Sequence, residues 1–188
     1  MKPLQRANWD WATDGRMGKR ERRVLTSIYL DPIQEEKMNL RQIARWRAIQ
    51  DHEVRYKEYF LDDAQFVIIG FGTAGRVALS AVRTARQQGI KVGLLRPITV
   101  SPFPLEVIEQ LAGRVSGFLV TEMNSGQMLE DVRLAVKGRA PIEFYGRMGG
   151  VVPLPDEILR EIQRIATEPL SVDINPRDRW YERMLGMR

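Results

Sequence analysis

The chain has 188 residues, of which 44% are hydrophobic, and a formal net charge of +5 at neutral pH. This length fits one domain of ordinary size with about 60 residues of additional material. Because the sequence contains no cysteine, the chain by itself forms no disulfide, cysteine nucleophile or thiolate-held iron–sulfur cluster. The single histidine, His52, excludes a metal site built from several histidines of one chain.

No segment reaches the roughly 18 apolar residues of a membrane span, and the N-terminus has no apolar signal-peptide core. We therefore expect a soluble, cytoplasmic protein without membrane contact. The basic run Arg16 to Arg23, RMGKRERR, leaves a nucleic-acid-binding module open as an alternative. Acidic and basic residues alternate elsewhere and no nucleic-acid-binding motif appears, so the run is better interpreted as a solvated arm or a subunit contact.

Residues 1–62 are predicted to form an N-terminal arm followed by a long amphipathic helix. Asp31 and Pro32 are typical of a helix start, and apolar residues then recur about every 3.5 positions as far as Phe60. This spacing predicts a helix of about 28 residues with an aromatic seam. The arm, with Trp9 and Trp11, and the length of the helix indicate contact with something beyond one small domain.

Residues 63–168 are predicted to form an α/β domain. A short apolar strand, a glycine turn and a helix of small residues follow one another between Phe66 and Gly89. Three further strands separated by helices predict a mostly parallel sheet with helices on both faces. They are expected at 91–95, 117–121 and 142–145. Residues 169–188 are predicted to be a C-terminal tail.

The glycine turn is a candidate anion-binding loop formed by Gly70, Gly72, Gly75 and Arg76. The three glycines have GxGxxG spacing, which lets the backbone turn sharply and present helix N-terminal amides to an anion. A dinucleotide site also requires an acidic residue about 20 positions later, where this chain has Arg96. An NADP-binding protein stays open as an alternative because an arginine can face a 2′-phosphate, but a tight turn is the favoured interpretation.

Four loops meet at the carboxyl ends of the predicted parallel strands, where functional surfaces of such sheets lie. Their polar residues make a net positive edge, which we interpret as a candidate subunit interface. Asn124 and Gln127 also have the spacing of a capping box for the following helix. No catalytic residue and no metal ligand is predicted. The interface candidates are Arg96, Thr99, Glu122, Asn124, Gln127 and Arg147.

Three segments and the junction from the preceding helix to DDA carry a resemblance to a known family. The segments are FGTAGRVALSAV, KVGLLRPITVSPFP and EMNSGQMLEDVRLAVKGRAPIEFYGRMGG. Together they resemble the C-terminal region of the alpha subunit of 2-oxoacid:ferredoxin oxidoreductases, in particular the branched-chain (3-methyl-2-oxobutanoate) and 2-oxoglutarate members. The resemblance extends from about Leu25 to Ile165 and is most specific between Glu122 and Gly150.

The resemblance implies a transketolase C-terminal-like domain, which is a three-layer α/β/α fold with a mixed five-stranded sheet and one antiparallel edge strand. The fifth strand would come from residues 24–30 or 59–61.

The resemblance also implies a function. Complete enzymes of this family oxidatively decarboxylate a 2-oxoacid on thiamine diphosphate, pass electrons through iron–sulfur clusters to ferredoxin, and form an acyl-CoA. This chain has no GDG motif for the metal that holds the diphosphate, so we expect a structural and assembly domain that is inactive alone and binds no cofactor itself. The resemblance places thiamine diphosphate, magnesium and iron–sulfur clusters elsewhere in the complex.

The resemblance further implies partners, namely a thiamine-binding beta subunit and a ferredoxin-like subunit, with a homodimer contact as a further option. The pyrimidine-binding domain of a complete alpha subunit would precede Met1. The chain is therefore expected to be an expressed piece, a fragment or a split subunit.

Overall fold

The computed structural model describes residues 20–22, 24 and 26–186. The chain divides into two compact units, residues 1–45 and 46–188. Trp9, Trp11 and most of the basic run Arg16 to Arg23 lie outside the described residues. The prediction that these segments form a docking arm therefore stays a prediction.

Helix α1 spans Pro32–Glu53 and begins where the sequence predicts. The Asp31 carboxylate accepts a hydrogen bond from the backbone amide of Ile33 at 2.9 Å, which satisfies one donor of the first turn. None of the 22 residues of α1 is buried. The prediction of about 28 helical residues is wrong, because Tyr56 lies in a strand and Phe60 has a left-handed φ of 57°.

Five strands form one mixed sheet in the second unit, in the order β1-β3-β2-β4-β5. Strands β2 to β5 run parallel, and β1 pairs antiparallel with β3 at one edge. This confirms the predicted fold class. The fifth strand comes from neither segment proposed for it, 24–30 or 59–61, although the second overlaps it at Tyr59. The strands are β1 Tyr56–Tyr59, β2 Phe66–Gly70, β3 Val92–Pro97, β4 Gly117–Glu122 and β5 Ile142–Gly146.

The central strands are the core of the unit. The register places Ile68 of β2 between Leu94 of β3 and Leu119 of β4. All three side chains are fully buried. Continuous burial along a strand is typical of parallel sheets whose two faces are both covered, and it explains why these strands are apolar at successive positions.

Four helices cover the two faces of the sheet. Helix α2 packs against α5, and α3 packs against α4. The connection from β2 to β3 and the connection from β3 to β4 run in opposite directions along the sheet. Because both are right-handed crossovers, the two helix pairs lie on opposite faces, which gives the three layers. Within the described ranges, no helix has the length and apolar character needed to cross a bilayer. The helices are α2 Gly72–Gln87, α3 Leu105–Ala112, α4 Met128–Val136 and α5 Pro155–Thr167.

The segment predicted to be a C-terminal tail contains helix α6, Pro176–Gly186, which packs on β5. Trp180 is 3% exposed, and its ring meets the ring of Phe144 edge-on at a centroid distance of 5.1 Å. The Trp180 indole nitrogen donates to the Gly146 carbonyl at 3.1 Å, and Arg183 donates to the Phe144 carbonyl at 3.0 Å. With β1 before residue 63 and α6 after residue 168, the α/β unit extends further at both ends than the predicted range.

A buried charge network joins β5, α5 and α6. The Glu143 side chain is 1% exposed and pairs with Arg179 at 2.6 Å and with Arg164 at 2.7 Å. Glu161 of α5 also pairs with Arg164, at 2.8 Å. Buried carboxylates of this kind are tolerated when cations and hydrogen bonds compensate them, so the network favours one position of α6 beside the sheet.

Candidate functional site

The glycine turn is explained by close packing between β2 and α2. A Cβ added to Gly75 would overlap the carbonyl group of Gly70, and one added to Gly70 would lie 3.0 Å from the methyl carbon of Thr121. Gly72 has a φ of 56°, in the left-handed region that favours glycine. Packing accounts for Gly70 and Gly75 and backbone conformation accounts for Gly72, as expected for a tight turn without a bound phosphate.

Two predicted cations lie beside this turn. Arg96, the penultimate residue of β3, is partly buried, and its Cγ would lie 3.1 Å from a Cβ at Gly75. Arg76 is exposed on the first turns of α2. Among the described residues, neither guanidinium forms an ion pair, so both charges at this end of the sheet are left uncompensated.

Thr99 connects the loop after β3 to the residue before β1. Its hydroxyl oxygen accepts a hydrogen bond from the amide of Arg55 at 2.9 Å, and its own amide donates to the Arg55 carbonyl at 3.1 Å. These bonds hold the antiparallel edge strand against the end of β3. Thr99 thus has a structural role within the unit, while its predicted role at a subunit interface is untested.

Glu122, an interface candidate predicted to follow the strand at 117–121, is instead the last residue of β4 and is 6% exposed. Its carboxylate accepts hydrogen bonds from the backbone amides of Met128 and Leu129, each at 2.9 Å. These amides begin α4, where a negative charge is also favoured by the helix dipole. Glu122 therefore caps α4 across the loop that connects β4 to it.

Asn124 and Gln127 lie within that loop, and the predicted capping box between them is wrong. The Asn124 side-chain oxygen accepts from the amides of Gly126 at 2.7 Å and Gln127 at 3.0 Å, which makes a local turn. Helix α4 begins at Met128, and the preceding Gln127 makes no side-chain cap. The carboxylate of Glu122 performs the capping function because it reaches the first amides of the helix from the end of the strand.

Arg147 directly follows β5 and completes the positive edge. Its amide donates to the Glu122 carbonyl at 3.2 Å, and its guanidinium lies 3.6 Å from the carboxylate of Glu157. The Glu157 carboxylate also accepts from the amide of Leu154 at 2.8 Å, as the cap of α5. The structure thus places Arg96, Glu122 and Arg147 at one edge of the sheet, as predicted from the parallel topology.

The residues that follow the parallel strands include a set that the sequence analysis did not single out. In the spatial order β3, β2, β4, β5, the strands are followed within two positions by an exposed large apolar side chain. We call this set the apolar row. The sequence did contain a signal for the apolar row, because each member is an apolar residue in a polar loop that directly follows a buried strand. The apolar row is Ile98, Phe71, Met123 and Met148, which are 47%, 46%, 39% and 51% exposed.

The described residues do not fit the cofactors that the resemblance implies. In the part of the chain that the structure describes, no group of three or more histidine, cysteine, aspartate or glutamate side chains is placed to hold a metal ion. A metal-bound diphosphate requires oxygen ligands of this kind. The two carboxylates at the carboxyl edge, Glu122 and Glu157, are already committed to helix caps.

Comparison with known proteins supports the predicted resemblance to a subunit of 2-oxoacid:ferredoxin oxidoreductases, but does not identify it as the alpha subunit. Residues 64–158 match the family model described as pyruvate:ferredoxin oxidoreductase core domain II. The chain is 45% identical over 165 residues to ketoisovalerate oxidoreductase subunit VorB of Methanothermobacter marburgensis, covering 87% of this chain and 46% of that protein. It is 33% identical over 132 residues to 2-oxoglutarate synthase subunit KorA of the same organism, covering 70% of this chain and 35% of that protein.

A solved structure shows the same fold. The 2-oxoglutarate:ferredoxin oxidoreductase from Magnetococcus marinus, with 2-oxoglutarate, coenzyme A and succinyl-CoA bound, superimposes with a TM-score of 0.60 at 19% identity. The superposition covers 72% of this chain and 24% of that chain. The chain spans less than half the length of the curated relatives it matches. None of these comparisons supports the alternative of an NADP-binding protein.

Proposed function

Because the chain belongs to the pyruvate:ferredoxin oxidoreductase core domain II family, we propose that it is part of a thiamine diphosphate-dependent 2-oxoacid:ferredoxin oxidoreductase. The observation that carries the proposal is the match to subunit VorB, at 45% identity over 87% of this chain. Identity of this level over nearly the whole chain supports a corresponding subunit position. Within that subunit, we assign the chain to the C-terminal region of the alpha type.

The proposed substrate of the complete complex is a branched-chain 2-oxoacid. Its support is the difference in identity between the two relatives, 45% for the ketoisovalerate subunit and 33% for the 2-oxoglutarate subunit. 2-Oxoglutarate is the second candidate, since the KorA match still covers 70% of this chain.

In this proposal the chain supports assembly and performs no chemistry. The polar groups that the structure gathers at the carboxyl edge hold the fold together. Glu122 caps α4, Asn124 closes a turn, and Thr99 fastens the edge strand β1 to the end of β3. Thiamine diphosphate with its metal, and the iron–sulfur clusters, are proposed to be bound by other parts of the complex.

Reconstitution tests the proposal. The complete subunit that contains this chain is combined with the thiamine-binding and ferredoxin-like subunits of the same source. Reduction of a viologen dye is then followed with coenzyme A and either 3-methyl-2-oxobutanoate or 2-oxoglutarate. We expect turnover only when this chain is present, with a higher kcat/KM for the branched-chain substrate. Turnover by the isolated chain, or full activity of the other subunits without it, would contradict the proposal.

A further inference from the structure

The apolar row lies across four neighbouring strand ends. Ile98, Phe71, Met123 and Met148 each follow the end of one of four neighbouring strands. Single exposed apolar residues are ordinary, but a set of them at one edge of a sheet is typical of an interaction surface. The loop after β5 adds Val151 and Val152, which are also exposed.

A groove extends this surface at its β3 end. It has a volume of about 570 Å³, and its lining includes Tyr56, Phe103 and Leu105. Tyr56 is opposite Pro97, the residue before Ile98, in the pairing of β1 with β3. The groove is therefore near the first member of the apolar row in the sheet, and its lining mixes apolar side chains with the acidic Asp51 and Glu106.

The charge of this edge is positive and is only partly neutralised within the described residues. Arg76 and Arg96 form no ion pair among the described residues, and Arg147 only approaches Glu157 at 3.6 Å. Glu122 cannot compensate them, since its carboxylate is buried against the amides of α4. A partner that covers the apolar row would consequently need negative charge to match these arginines.

Hydrogen-bonding groups at this edge also lack partners. The Nε atoms of Arg96 and Arg147 and the hydroxyl of Thr121 are buried without a hydrogen-bond partner among the described residues. All three groups can donate, and the two arginine groups can only donate. Buried donors without acceptors are costly. Because these atoms are themselves buried, the oxygens of a partner would reach the outer nitrogens of the two guanidinium groups rather than these atoms.

A second copy of the chain does not meet these requirements. A symmetric contact through the apolar row would bring the arginines of one copy towards the arginines of the other, and like charges facing each other oppose association. The charge of the edge therefore favours a different chain with an acidic surface.

We propose that the apolar row, with Arg76, Arg96 and Arg147, is the docking surface for an acidic segment of the thiamine-binding subunit. The occupant inserts apolar side chains between the strand ends and presents carboxylates to the arginines. This inference rests on the proposed function, because it assumes assembly into the oxidoreductase, and it adds the chemistry by which the partner is recognised.

The test uses the complete subunit that contains this chain and the recombinant thiamine-binding subunit, with the dissociation constant measured by calorimetric titration. The variants Met123→Asp and Met148→Asp place a carboxylate in the apolar row. We expect each to weaken binding at least about tenfold, as central contacts of an interface commonly do. Leu134→Asp and Val172→Asp are the controls, because these residues are 65% and 54% exposed outside the apolar row. They should change binding by less than about twofold.

A charge reversal tests the electrostatic part separately. Arg76→Glu lies on the first turns of α2, and Arg83→Glu lies two turns further along the same helix, exposed as well. The two variants have the same net charge. Arg76→Glu should weaken binding and reduce the dependence of binding on salt. Arg83→Glu should leave both nearly unchanged, because salt screens a surface charge that lies away from the interface.

The outcomes separate the inference from the proposed function. Binding of the wild type with no effect of the Met123, Met148 and Arg76 variants would overturn the docking surface and leave the proposed function intact. A wild type that self-associates through the apolar row would also overturn it. If the wild type binds no subunit of the oxidoreductase, the proposed function itself fails. Thermal unfolding of each variant shows whether weaker binding reflects a changed surface in a folded protein.

Discussion

The two edge strands of the sheet are protected in different ways. Strand β5 is almost fully buried, and α6 covers its outer edge with bonds from Trp180 and Arg183 to its carbonyls. Strand β1 has four residues, of which three are exposed, and no described element pairs with its outer side. An uncovered edge can pair with another chain, so another feature of β1 must keep it from doing so.

The sequence of β1 supplies a physical reason. In an antiparallel pair of two copies, opposite residues belong to the same hydrogen-bonding class. The twofold axis that relates the copies therefore lies midway between a residue of one strand and the same residue of the other. Central registers of β1 would put Lys57 against Lys57 or Glu58 against Glu58, and like charges directly opposite are destabilising. One edge is thus protected by a covering helix, and the other by shortness and charge.

The largest loss of stability is expected when the contact between α6 and β5 is removed. Trp180→Ala removes a buried ring, its contact with Phe144 and its hydrogen bond to the Gly146 carbonyl. We expect the free energy of unfolding to fall by about 4 kcal/mol in urea denaturation. Tyr181→Ala is the control, because Tyr181 is the neighbouring residue and is 57% exposed, and it should cost less than about 0.5 kcal/mol. Equal losses in both variants would show that α6 does not hold the edge.

The charge network that joins β5, α5 and α6 should contribute almost as much to the free energy of unfolding. Glu143→Gln leaves Arg164 and Arg179 facing a neutral amide in a buried position. We expect a loss of about 3 kcal/mol by the same measurement, since breaking a buried pair leaves a charge without compensation. Glu168→Gln also removes a carboxylate near Arg164, but Glu168 is half-exposed, so its loss should stay below about 1 kcal/mol.

A pH titration sharpens the comparison further, because β5 has a buried tyrosine. Burial, with Glu157 as a further cause, raises the pKa of Tyr145 from 10.0 to about 12. The neutral phenol is therefore favoured in the folded state, and its contribution is complete below pH 10 and is lost as the pH rises towards 12. This loss should amount to about 2 kcal/mol.

Tyr145→Phe should remove most of this alkaline loss, measured as the free energy of unfolding between pH 9 and pH 12. Tyr56→Phe in the exposed strand β1 is the matched control and should leave the loss unchanged. The same alkaline loss in Tyr145→Phe and in the wild type would mean that another group is responsible.

The smallest effect on stability is expected at β1. The double variant Lys57→Thr with Glu58→Val removes both edge charges and raises β propensity. We expect the free energy of unfolding to change by less than about 0.5 kcal/mol, while sedimentation velocity shows concentration-dependent association that the wild type lacks. A variant with the same sedimentation behaviour as the wild type would show that the length of β1 suffices to protect the edge.

The sequence was sufficient for the four parallel strands, because each contains a short run of apolar residues that is typical of a strand buried on both faces. The sequence was not sufficient for β1. Its residues Tyr56 and Tyr59 flank two charged residues and continue the apolar spacing of α1, which indicates a longer helix. Only the pairing with the end of β3, fastened by Thr99 and Arg55, makes this segment a strand. Helix α6 was also missed, because its short apolar cluster of Trp180, Tyr181, Met184 and Leu185 lies among charged residues in a segment with prolines and was interpreted as part of a tail.

The candidate site was predictable in place but not in detail. The parallel topology correctly brought Arg96, Glu122 and Arg147 to one edge. The environment of Glu122 was not predictable, because a carboxylate at a strand end is equally compatible with solvent and with a helix cap. Met123 and Met148 were overlooked since their exposure depends on which way each loop leaves its strand.

Helix α6 also reaches the candidate docking surface. The Arg177 guanidinium donates to the carbonyls of Ser125 at 2.8 Å and Gly126 at 2.7 Å, in the loop that contains Met123. In the order of synthesis, residues 176–186 leave the ribosome after every strand of the sheet. The loop that carries Met123 therefore gains these two hydrogen bonds only when α6 has been made and has folded onto β5.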